Sequence, residues 1–329
     1  MSFLSIIVAL VLIFDFINGF HDSANSIACV VSTKVLSPIA AVSMAALFRF
    51  MAFFVFHLKV ASTISFGVVR PEAININVIA AATVAAIVWN LLTWWWGLPS
   101  SSSHTLVGGL IGAAITSSGL GSVIASGVIK IVSFIFIAPL LGFILSYTLS
   151  TSIMWIFRKL SPATIDKWFR RLQLISASSF SLGHGGNDAQ KSMGLIWAAM
   201  LITGTLSPDA ELPPMWVILS CYTALALGTL FGGWRIVKTM GQKITKLKPF
   251  EGFCAETAGS IALVTATHWG IPVSTTHTIT GAIIGVGARK GVTAVKWGVT
   301  RKIYWAWILT IPLSGIIGGI MYLLFNYIN

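Results

Sequence analysis

Gly19-Phe20-His21-Asp22-Ser23-Ala24-Asn25-Ser26-Ile27-Ala28 lies within an otherwise apolar run, and Gly185-Gly186-Asn187-Asp188-Ala189-Gln190-Lys191-Ser192-Met193-Gly194 aligns with it further along the chain. A second pair follows in the same order. Gly97-Leu98-Pro99-Ser100-Ser101-Ser102-Ser103-His104-Thr105 matches Gly270-Ile271-Pro272-Val273-Ser274-Thr275-Thr276-His277-Thr278. The motifs stand 77 residues apart in the first half (Asp22 to Pro99) and 84 in the second (Asp188 to Pro272). Two motifs recurring in order at similar spacing indicate an internal duplication. The expected organisation is a first repeat over 1–157, a basic connector over 158–171 and a second repeat over 172–329.

The surrounding sequence identifies the solvent. The chain is 56% hydrophobic and only 9% charged, whereas soluble domains carry roughly 25% charged residues. It divides into roughly ten apolar stretches, and about 20 apolar residues span a bilayer as a helix. No stretch alternates as a transmembrane barrel strand does. The expected class is an all-α polytopic membrane protein with about 10–12 membrane segments. The net charge of +12 reads as membrane topology rather than nucleic-acid binding, because cytoplasmic loops are enriched in Lys and Arg. Cys29, Cys221 and Cys254 lie in apolar segments without metal-ligand spacing and read as packing residues. The apolar N-terminal stretch lacks a basic leader and is expected to be a retained first helix.

Basic residues concentrate in the connectors 158–171, 235–251 and 289–302, which the positive-inside bias assigns to the cytoplasm. The 204–214 connector carries Asp209 and Glu211 with no basic residue and is expected outside. Segments 253–269 and 273–288 lie between two cytoplasmic connectors, so they enter and return as a hairpin. Their counterparts, 74–96 and 102–118, are flanked by 59–73 and 119–121, both poor in Lys and Arg, and form a hairpin on the outer face. Hairpins entering from opposite sides make the halves inverted repeats, each with a re-entrant-type hairpin, a plan common among secondary transporters. Both termini are expected on the extracytoplasmic side.

An aspartate within a membrane segment is costly and is a functional candidate by default. Capping of a broken helix is the plainer role for Asp22 and Asp188, but their repetition among polar neighbours weighs against it. Gly19, Gly183, Gly185 and Gly186 permit local unwinding, and Asn25 can add an amide oxygen beside Asp22. At the hairpin tips, Pro99 and Pro272 end one helix and a Ser/Thr run opens the next. A helix N-terminus favours an anion, and the hydroxyls of Ser100–Ser103 and Ser274–Thr276 add donors. Capping alone needs fewer than four consecutive serines. His104 and His277 are duplicated too, and either pack or titrate near neutral pH. An oxyanion beside two ionised aspartates requires cations, either sodium or protons. An acceptor aspartate also favours phosphate, which keeps a P–OH, over sulfate.

The four motifs resemble those of the inorganic phosphate transporter (PiT) family, in particular its bacterial low-affinity phosphate permeases, over about residues 10–320. The resemblance implies a cation-coupled phosphate symporter of the cytoplasmic (inner) membrane, a homodimer in the lipid bilayer, with no cofactor and no metal beyond possible sodium. Phosphate is carried free or as a metal–phosphate complex. Carried over by motif, the phosphate site is Asp22, Ser101, Ser102, Ser103, Thr105, Asn187, Asp188, Lys191, Ser274, Thr275 and Thr276. The coupling-ion site is Asp22, Asn25, Asp188 and Glu256. The 122–157 stretch, interrupted by Lys130 and Pro139, is a candidate for an additional helix break. Two positions depart from the sodium-dependent pattern. Lys191 replaces Asn25 across the repeat as a built-in cation, and Arg49 stands where sodium-dependent relatives tend to place an acid. Both point to protons or fewer sodium ions, whereas Glu256 points to sodium. A sulfate permease of the same superfamily is the alternative within transport. A membrane enzyme using Ser and His finds no Ser-His-Asp order or metal-ligand cluster in support.

Overall fold

The computed structural model describes residues 3–56, 67–207, 209–210, 212–269 and 273–328. Gly270, Ile271, Pro272, Glu211 and the stretch 57–66, which the sequence reading uses for the second tip and the outer flanks, lie outside the described residues. Eleven α-helices account for nearly all of the described chain. They are α1 (Phe3–Ser32), α2 (Pro38–Met51), α3 (Ile76–Trp96), α4 (Ser102–Ser118), α5 (Ala125–Ile156) and α6 (Pro162–Ile202). They continue with α7 (Met215–Phe231), α8 (Trp234–Lys238), α9 (Pro249–His268), α10 (Thr275–Lys290) and α11 (Trp297–Ile328). Among the described residues the only β pairing is an isolated bridge between Val69 and Val123. Among the described residues four helices (α1, α3, α5 and α11) are long and apolar enough to cross a membrane, and α7 with the segment through Lys243, bent by 61°, has the composition of a broken span or a re-entrant pair. Large apolar side chains such as Leu140, Phe136, Ile316 and Leu323 face outward, as a lipid-facing surface requires.

Three expectations change. The sequence 122–157 does not divide at Pro139, and α5 runs unbroken through it. Neighbouring helices and local adjustment tolerate proline in membrane helices. The glycines of the aspartate motifs do not unwind their helices, because α1 and α6 are continuous across Asp22 and Asp188. Gly19 and Gly185 serve close packing instead. A Cβ on Gly19 would meet the α7 backbone at Leu225 and Gly228, and one on Gly185 would meet the Arg49 backbone. The basic connector also becomes helical early, since Ser161 caps α6 and accepts from the Thr164 amide.

The packing partners come in matched sets. α1 packs on α7 as α6 packs on α2, and α1 on α3 as α6 on α9. α4 packs on α11 as α10 packs on α5. Small residues make the last pair possible, as they do between membrane helices generally. A Cβ on Gly108 or Gly112 would strike α11 at Ile311 or Gly315, and one on Gly281 or Gly285 would strike α5 at Pro139 or Phe143. Two apolar clusters result. One holds Ile7, Val11 and Phe14 of α1 with Met193 and Ile196 of α6. The other holds Ile27, Ala28 and Val30 of α1 with Ala177 and Phe180 of α6. Between them, in the middle of both helices, lies a polar layer.

Candidate functional site

The long helices α1 and α6 carry Asp22 and Asp188 into this layer; the N-terminus of α4 points a hydroxyl at Asp22, and that of α10 brings its hydroxyls to Asn25. Gly97 ends α3 in a left-handed conformation (φ 66°) that a side chain would strain. The chain then turns through Pro99, and α4 begins at Ser102. Ser101 caps α4 by accepting from the His104 amide, and Ser274 caps α10 by accepting from the His277 amide. Thr105 and Thr278 each donate to the carbonyl of that same cap residue, at 2.8 and 2.9 Å. Ser101, Thr105 and Ser274 thus shape the tips, while their neighbours reach inward.

Ser102 donates to Asp22 Oδ2 at 2.9 Å. Lys191 donates to Ser103 Oγ at 2.5 Å and to Asp188 Oδ1 at 2.6 Å. Asn25 directs its amide nitrogen, not its oxygen, toward the second tip, donating to Thr276 Oγ1 at 2.9 Å and reaching Thr275 Oγ1 at 3.5 Å. Thr276 in turn donates to the Ser100 carbonyl at 3.1 Å, which joins the two tips directly. Behind them the His104 and His277 rings meet edge to face with centroids 4.8 Å apart. His277 stacks on Trp307, whose indole donates to the Pro99 carbonyl at 2.9 Å. Asn187 is fully buried on the same turn of α6 as Asp188.

Three residues complete the site that motif reasoning passed over or left without a role. His184 Nε2 lies 2.7 Å from Asp188 Oδ2, to which it donates, and 4.0 Å from Asp22 Oδ2, so it stands between the two aspartates while bonding one. Arg49 Nη2 approaches His184 Nδ1 at 2.8 Å. A guanidinium only donates, so Nδ1 accepts, Nε2 carries the proton and His184 is neutral. Arg49 also donates to the carbonyls of Asp22 (2.6 Å) and Gly19 (3.2 Å) and to Thr229 (2.8 Å). A buried arginine therefore stitches α1, α6 and α7 together and leaves the carboxylates facing the tips. His21 Nδ1 lies 2.6 Å from Asp22 Oδ1, while Nε2 meets Thr93 at 3.1 Å. The signal for His184 was its spacing, four residues before Asp188 and hence on the same helical face.

Asp22, His184 and Asp188 offer ligand atoms within 4.8 Å of one another; with His184 Nε2 protonated and Nδ1 taken up by Arg49, the two carboxylates are the part of this grouping able to hold a cation. Glu256 sits apart from this grouping. It is fully buried and accepts from Ser176 at 2.7 Å and from Gln173 at 3.3 Å, with Thr33, just past the end of α1, donating to Gln173 at 2.9 Å.

A membrane-helix bundle that buries paired carboxylates against two hydroxyl-rich helix N-termini has the architecture of a solute transporter. Residues 18–318 match the model of the phosphate transporter family, and the chain belongs to that family. It is 52% identical over 316 residues to a protein of Rhizobium meliloti (strain 1021) named a probable low-affinity inorganic phosphate transporter, covering 96% of this chain and 94% of the relative. A Bacillus subtilis (strain 168) protein of the same name is 44% identical over 325 residues, covering 98% and 97%. Among solved structures, one titled the sodium-dependent phosphate transporter superposes over 100% of both chains with a TM-score of 0.89 at 24% identity, which shows a shared fold. The relatives are transporters, not enzymes, and the chain is an integral membrane protein.

Proposed function

We propose that the chain imports inorganic phosphate by symport with a monovalent cation, through a site between two inverted repeats. The observation that carries this reading is the meeting of both tips with the polar side chains that follow the aspartates: Ser102 on Asp22 itself, Ser103 on Lys191, and Thr275 and Thr276 on Asn25. These groups satisfy one another across the two tips. Phosphate entering between them exchanges those bonds for its own, taking the Ser102, Ser103, Thr275 and Thr276 hydroxyls and the Lys191 ammonium as donors. Its P–OH donates to Asp22 or Asp188, a bond that sulfate cannot make. The exchange supports phosphate over a sulfate permease.

Asp22 and Asp188 form the cation site, with Asn25 alongside and His184 holding Asp188 in place by its Nε2–H. Lys191 already neutralises Asp188 at 2.6 Å, so one fewer external cation is needed than with a neutral residue there. Glu256 serves the same coupling from its separate pocket. The matched packing of the halves supports the repeats, and the loop charges support their inversion in the inner membrane with both termini outside. A homodimer, as the family resemblance implies, completes the reading.

Reconstitution in liposomes tests it. Labelled phosphate should accumulate under a sodium or a proton gradient imposed alone, with sulfate a poor competitor. No accumulation under either gradient, or equal competition by sulfate, overturns the proposal.

A further inference from the structure

The central cluster sets two carboxylates, Asp22 and Asp188, against two basic side chains, Lys191 and Arg49, with the His21 and His184 rings beside them. Among the described residues three buried acids lie outside it: Asp15, Glu251 and Glu256. Glu251 faces Arg289 and Lys290. Glu256 has donors for both oxygens, Ser176 and Gln173. Asp15 does not. It is fully buried on α1, its Oδ1 accepts from the Ser192 hydroxyl of α6, and its Oδ2 has no hydrogen-bond partner. Among the described residues no Lys, Arg or His lies within ion-pair distance of it. Of the groups on helices packed against α1, Asp188 of α6 and the Cys221 thiol of α7 bear on Asp15. Lys191 is committed to Asp188 and Arg49 to its carbonyls and His184, and α3 carries no charged residue.

Asn18 adds the second observation. It is 1% exposed, stands three residues after Asp15, and its Oδ1 also lacks a donor. Positions three apart are neighbours on a helix face, so two acceptors without a donor occupy adjoining places. Each buried acceptor left unmatched costs free energy, and an uncompensated carboxylate inside a membrane costs more. One cation satisfies both oxygens, as sodium between them or as a proton on Asp15 shared with Asn18.

Asp15, Asn18, Asp22 and Asn25 follow one another at spacings of three and four, all buried. They form one polar stripe along α1, with Asp15 about 10 Å of helix rise from Asp22. Beyond Asn25 the stripe reaches Thr33, which bonds the Gln173 partner of Glu256. The central pair is therefore flanked by a lone acid toward each end of α1.

We propose that Asp15, Asn18 and Ser192 form a second monovalent-cation site, whose cation is carried in addition to the one held at the Asp22–Asp188 pair. The proposal rests on the symport reading. The test uses the full chain in proteoliposomes, wild type against Asp15→Asn, with sodium and proton gradients imposed singly and the cation-to-phosphate ratio read from the reversal potential. The expected result is about tenfold less uptake under the gradient that drives the wild type, with a ratio lower by one cation. An unchanged ratio in a variant with wild-type melting behaviour overturns the site while leaving symport standing. A wild type that neither gradient drives overturns both. If Asp15→Asn does not fold, Asn18→Leu decides: about tenfold weaker apparent cation affinity supports the site, and unchanged affinity overturns it.

Discussion

At the position where the first half carries Asn25, the second carries Lys191, and that single difference sets the charge of the site. The ammonium lies 2.6 Å from Asp188 and 2.5 Å from Ser103, within bonding range of both an acid and a tip. Removing one partner of a buried ion pair leaves the other uncompensated, at a cost of about 3–5 kcal/mol. An external cation offsets that cost if it binds in the vacated space. Lys191→Asn is therefore expected to lower phosphate uptake about tenfold or more at low sodium and to recover as sodium is raised. Titration of initial uptake rate against sodium measures this, and a deficit insensitive to sodium would refute the resident-cation role. The aspartates make the complementary case. Asp22→Asn and Asp188→Asn each keep the volume and remove the charge that phosphate and cation both require. Driven uptake should vanish in each; Asp22→Asn should unfold near the wild-type temperature, whereas Asp188→Asn, which strands Lys191, should unfold several degrees lower, and near-normal transport in both would remove them from the site.

The elements that hold these residues are ordered by glycine and indole contacts. A Cβ on Gly112 would overlap the Gly315 backbone of α11, and one on Gly285 would meet Phe143 of α5. Forcing extra atoms into such contacts typically costs about 1–3 kcal/mol. Gly112→Leu and Gly285→Leu should each lower the melting temperature in detergent by several degrees, the shift expected for that loss in a chain of this size. They should also reduce uptake, because the tips ride on α4 and α10, and an unaltered melting curve would show that the helices do not pack here. How far the sequence could be read is clearest at this scale. The tips were legible because Gly97-Leu98-Pro99 and the serines after it state a helix stop and a helix start in local terms. The continuous helices through Asp22 and Asp188 were not, since glycine signals backbone freedom and close approach alike, and only the neighbouring α7 and α2 decide between them. Pro139 misled for the same reason. The place of His184 between the aspartates was half legible: its i, i+4 bond to Asp188 is local, whereas its approach to Asp22 depends on how α1 crosses α6. Arg49 reads as an anomaly in sequence and acquires its role only from carbonyls and a histidine on other helices.

For the whole molecule, the question is whether the matched halves face opposite sides of the membrane. Each second hairpin arm ends alike. After α4 comes Gly119 with φ 77° and a 3-10 turn from Leu120 to Ser122; after α10 comes Gly291 with φ 142° and a 3-10 turn from Val292 to Ala294. Leu120 and Val292 are both strongly exposed at these turns. Around Val292 lie Arg289, Lys290 and Lys296, whereas the 119–121 junction is uncharged, a contrast that the positive-inside bias converts into opposite faces. Cys29, Cys221 and Cys254 are all buried, so a cysteine introduced at either turn offers the accessible thiol. In right-side-out cells, Leu120→Cys should react with a membrane-impermeant maleimide without treatment, and Val292→Cys only after the membrane is permeabilised. Labelling of both from one side would make the repeats parallel. The two tips, although joined through Thr276 and Ser100, would then enter from a shared face, and alternating access could not proceed by exchanging the conformations of the two halves. Opposite labelling instead gives that exchange a structural basis: α1 with α7 and α6 with α2 would trade roles across the central carboxylates, opening the site first to one side and then to the other.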